Sequence, residues 1–75
     1  MNFNQCSMSQ EGILLNLNKG LASEIRARDL CKELLQVLDD EKDKNIVETI
    51  IKDEERHIKM TEDLISIAKA FYSKE

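Results

Sequence analysis

Apolar residues recur along the second half of this chain at alternating steps of three and four. Val47, Ile50, Thr61, Leu64, Ala68 and Phe71 keep that rhythm, and each such step holds a side chain on one face of a helix. The rhythm predicts a helix from about Lys44 to about Tyr72, flanked on its apolar stripe by Ile46, Ile51, Ile58, Ile65 and Tyr72. A second stripe runs through Ile13, Leu17, Gly20, Glu24, Ala27, Cys31, Leu34 and Leu38, and Leu14, Leu21, Ile25, Leu30 and Leu35 widen it. It predicts a first helix from about Ser9 to about Asp39, with the broad apolar face of a bundle helix. Residues 1–8 have no periodicity and read as a tail, with Ser7 or Ser9 available to cap the helix that follows.

Between the stripes lies Asp39-Asp40-Glu41-Lys42-Asp43-Lys44-Asn45, polar throughout. This is where the chain should turn, with Asp43 as the preferred N-cap of the second helix. The segment holds neither glycine nor proline, so the turn rests on lost periodicity alone; without it the chain would be one long helix. A short linker makes the helices antiparallel neighbours. The expected fold is all-α, a single two-helix hairpin domain over residues 1–75.

Three residues conflict with their positions. The rhythm between Ile50 and Thr61 demands apolar groups at 54 and 57, yet Glu54 and His57 stand there. Glu24 interrupts the first stripe, between the small residues Gly20 and Ala27. Charged groups are almost never fully buried unless paired or metal-bound. Folding about a turn near residue 41 brings Glu24 level with His57 and within about a turn of Glu54, a mismatch of only a few ångströms at ~1.5 Å rise per residue.

Composition narrows the classes. Acidic residues outnumber basic ones, for a net charge of −4, which argues against a nucleic-acid surface. No apolar run approaches the ~18 residues that span a membrane, and no signal peptide is expected. Cys6 and Cys31 do not suggest a disulfide framework, so a reducing cytoplasm is the expected location.

Two helices share one narrow seam, but both apolar faces here are broad. A monomer would leave a large apolar surface in water, the usual mark of an interface. The simplest remedy is a two-fold homodimer, or a multiple of dimers, forming a four-helix bundle. Symmetry then doubles the polar layer to four carboxylates and two imidazoles, from Glu24, Glu54 and His57 of each chain. Two divalent ions would balance those four negative charges.

Asp53-Glu54-Glu55-Arg56-His57 resembles the di-iron helix motif of the ferritin-like superfamily, and Leu21-Ala22-Ser23-Glu24-Ile25-Arg26-Ala27 resembles the first ligand helix of rubrerythrin-like domains. The thirty-residue step from Glu24 to Glu54 on a two-helix chain is similar to the encapsulated ferritins. The resemblance implies half-bundles that complete an iron site by dimerising, with an encapsulating shell as a further partner. It implies iron, two per dimer, ligated by Glu24, Glu54 and His57, with Asp53 and Arg56 beside the ligands. It implies Fe(II) oxidation for storage or detoxification, a ferroxidase activity in which the same three residues would be catalytic. This chain departs from the encapsulated ferritins at Leu30 and Cys31, where they carry an aromatic pair, and at Ser23 and Arg26, where they carry acidic groups. Imidazole and carboxylate also suit manganese and zinc.

Plainer readings stand beside these. Glu24 with Arg28 and Asp53 with His57 have the spacing of ordinary surface pairs, and Glu55 with Lys59 is expected to be one. Cys31 fits as a small core residue or as a redox group. Thr61 fits as a tolerated core residue or as a hydrogen-bonding group beside the site. Met8 and Met60 read as tail or packing residues, and Tyr72 lies too far along its helix to join the site. The alternative function is a metal-free helical hairpin, a structural or regulatory interaction module.

Overall fold

The computed structural model describes residues 9–73 and contains two helices, α1 (Gln10–Val37) and α2 (Glu41–Ser73), packed against each other as a hairpin. Ser9 caps α1: its hydroxyl accepts from the Gly12 amide at 3.0 Å, satisfying one of the donors that a helix N-terminus leaves unpaired. Residues 1–8 lie outside the described residues, and the expected tail with them.

The turn differs from expectation. α2 starts three residues before Lys44, because its cap is Asp40 and not Asp43. The Asp40 carboxylate accepts from the amides of Lys42 at 2.8 Å and Asp43 at 3.1 Å. Its carbonyl accepts the helical bond from the Lys44 amide at 3.0 Å. Glu41 and Asp43 occupy the first turn, where negative charge meets the positive end of the helix dipole. Lost apolar rhythm over 41–45 therefore reports a solvated face and not a broken backbone. α1 ends as Leu38 turns extended (φ −80°, ψ 139°), and no described residue has positive φ, so the turn needs no glycine.

The seam between the helices keeps every second position of the expected stripe and takes its other positions, Arg28 apart, from the residues expected to flank it. On α2 it runs through Val47, Ile51, Glu54, Ile58, Thr61, Ile65, Ala68 and Tyr72, all buried or half-buried. Val47, Ile51, Ile58 and Ile65 are the deepest, at 7–8% exposure, whereas Ile50 (42%), Leu64 (48%) and Phe71 (60%) face outward. On α1 the seam runs through Leu14, Leu17, Leu21, Glu24, Arg28, Cys31, Leu35 and Leu38, all half-buried. The reason is connectivity. A hairpin gives each helix one neighbour, and the seam takes the side of each apolar band that meets it.

The other side of each band stays open. Ile46, Ile50, Met60, Leu64, Ile67 and Phe71 form a second four-three row on α2, interrupted by Asp53 and His57. Leu30, Leu34 and Val37 continue it on α1. Both rows sit one position before the seam, and in an antiparallel pair of right-handed helices that offset turns them to the same side of the hairpin. One position after the seam lies the opposite side, which is largely charged on α2, bears the exposed Leu15 on α1, and carries the Lys32–Glu55 pair at 3.6 Å. The hairpin is thus a slab, 52 × 28 × 14 Å, apolar on one broad face. No described side chain is fully buried.

Candidate metal centre

Glu24 reaches across the seam from the middle of α1. One carboxylate oxygen, Oε1, accepts a hydrogen bond from the Thr61 hydroxyl at 2.9 Å. The other, Oε2, lies 3.6 Å from Nδ1 of His57. Glu24 keeps 24% of its side-chain surface exposed and His57 45%, so the pair sits at the border between the seam and the open apolar face. Side chains lean toward the N-terminus of their own helix. In an antiparallel pair this carries contacts from Glu24 a few positions further along α2 than backbone height alone implies, which is how it meets both His57 and Thr61.

At 3.6 Å this contact is longer than a charge-assisted hydrogen bond, about 2.7–2.9 Å, and it equals the Lys32–Glu55 and Lys44–Glu41 ion pairs, which also measure 3.6 Å. Arg56 lies on the far side of the ring, with its Nη2 3.4 Å from His57 Nε2. A guanidinium only donates, so Nε2 can only accept from it in this contact. Arg56 is exposed and also donates to Met60 Sδ at 3.6 Å.

Glu54 is half-buried one turn before His57 and makes no hydrogen bond or ion pair among the described residues. It does not join Glu24 and His57 within one chain. Among the described residues no three His, Cys, Asp or Glu side chains converge where a cation could sit. The expected meeting of three groups is, in a single hairpin, a meeting of two, while Glu54 lies half-buried on the seam between Ile51 and Ile58.

The plainer pairings mostly resolve otherwise. Arg28 bonds Asp29 at 3.1 Å and not Glu24. Glu55 pairs with Lys32, and Lys59 with Asp63 at 2.7 Å, so the expected Glu55–Lys59 pair does not form. The Asp63 hydrogen bond, aided by its charge, raises the Lys59 pKa. Cys31 is a free, half-buried thiol in the seam. An open groove on the charged face is lined by Lys32, Leu35, Glu48, Ile51, Lys52 and Glu55. Its opposite charges neutralise each other, and it does not include Glu24 or His57. No described helix is long and apolar enough to cross a membrane. No family model, curated protein or solved structure matches this chain.

Proposed function

We propose that two hairpins pack open face to open face as a four-helix bundle and bind a pair of metal ions between Glu24, Glu54 and His57 of each chain. The observation that carries this reading is that a carboxylate of α1, Glu24, and an imidazole of α2, His57, meet across the seam at the edge of an uncovered apolar face. Burying Ile50, Leu64 and their neighbours against a second copy would also bury Glu54 and His57. Leaving those groups without a counter-charge would be costly. A carboxylate from each helix and a Glu-x-x-His turn form the donor set of di-iron carboxylate bundles. Iron is the proposed metal, two ions per dimer, with manganese or zinc compatible with the same donors. Bound iron would supply the redox chemistry, two Fe(II) giving two electrons to dioxygen or peroxide, with storage or detoxification of iron as the role. Cytoplasmic residence is proposed from the cysteine usage, and enclosure in a shell from the sequence resemblance.

The decisive experiment is anaerobic titration with Fe(II), followed by exposure to oxygen. Saturation at two ions per dimer is expected, with iron oxidised faster than in buffer and most of that excess lost in His57→Ala. Saturation at one ion per dimer, or no uptake, overturns the reading. The uncovered apolar face then favours the second reading, a metal-free hairpin that pairs with itself or with a larger helical partner.

A further inference from the structure

We propose that Thr61 is a positioning residue for Glu24: it holds one carboxylate oxygen so that the other is presented beside His57. This inference rests on the metal-site reading above. A helical threonine has a nearer acceptor in the carbonyl four residues back, and Thr49 takes that option, bonding the Asn45 carbonyl at 3.0 Å. Thr61 instead crosses the seam to Glu24 Oε1 at 2.9 Å. The hydroxyl of Thr61 is the group that donates to the Glu24 carboxylate among the described residues. With Oε1 engaged, Oε2 is the oxygen left facing the imidazole, 3.6 Å away. Glu24 would thus offer a cation one oxygen, while Glu54, without a bond of its own in the hairpin, keeps both.

The test titrates Co(II) into the purified wild-type protein, Thr61→Val and Thr61→Ser, reading affinity and the visible ligand-field spectrum. Helix content and oligomeric state are measured alongside. Removing a hydrogen-bond partner of a metal ligand typically costs about 10–100-fold in affinity, and that loss is expected for valine. Its spectrum should also change, because a released carboxylate can bind through both oxygens and raise the coordination number. Serine, which keeps the hydroxyl, should restore both affinity and spectrum. If valine disturbs the fold, Thr61→Ala provides the same test with higher helix propensity. Wild-type affinity and spectrum in a folded hydroxyl-free variant overturn the role of Thr61 and leave the site standing. Equal loss in serine and valine also overturns it, since the methyl group would then be what matters. No Co(II) uptake by the wild type overturns the site and this role together.

Discussion

Leu64 and Ile65 are adjacent in sequence but on different faces, and replacing each by alanine separates the two interfaces of the hairpin. Leu64 is 48% exposed and Ile65 8%. Fully burying a leucine contributes about 1.5–3 kcal/mol. The half still in water would therefore contribute roughly 0.7–1.5 kcal/mol per protomer on dimerisation, and two-fold symmetry counts it twice. Alanine retains Cβ, so Leu64→Ala should weaken the dimer by roughly 1–2.5 kcal/mol, about 5- to 70-fold in Kd. Ile65→Ala acts on the seam, where a buried isoleucine-to-alanine change costs about 2–5 kcal/mol. Sedimentation over a dilution series, with circular dichroism on the same samples, distinguishes them. Leu64→Ala should dissociate at higher concentration than the wild type while retaining helix well above its Kd. Ile65→Ala should lose helix or melt earlier at every concentration. If Leu64→Ala and Ile50→Ala both leave Kd unchanged, or if the wild type is a stable folded monomer at high micromolar concentration, the open face is not a dimer interface.

Metal should stabilise the folded dimer by mass action, by about 2.7 kcal/mol at a hundredfold excess over Kd. Thermal melts should show a higher Tm with Fe(II) under anaerobic conditions, and Glu54→Ala should abolish the increase. Glu54→Leu should raise the Tm of the metal-free protein, because replacing a carboxylate at a dimer core with an apolar group relieves its desolvation; a lower Tm would show that Glu54 stays solvated. Asp40→Ala should cost about 1 kcal/mol through loss of the α2 cap, and Asp43→Ala only about 0.3–0.5 kcal/mol through the helix dipole. Chemical denaturation of both variants checks that order, and the reverse order would return the cap to Asp43.

The two helices and the existence of a turn between them were legible in the residue pattern, and Ser9 was one of the two capping residues it offered, because helix period and capping chemistry are local. So was the level of Glu24 with His57, since a short turn leaves little freedom in how two helices align. Which flank of the stripe forms the seam was not. Ile50 and Ile51, Leu64 and Ile65, and Phe71 and Tyr72 are adjacent pairs of similar hydrophobicity. A helix with such a doubled stripe can present either side to a neighbour, and only the packed pair selects Ile51, Ile58 and Ile65 for the seam. The cap of α2 was expected at Asp43 and lies at Asp40, whose carboxylate accepts the Lys42 and Asp43 amides. Glu55 and Lys59 have the spacing of a pair within one helix, but Lys32 from across the seam takes the glutamate. The seam and this pairing depend on where the second helix lies, and no local pattern carries that information.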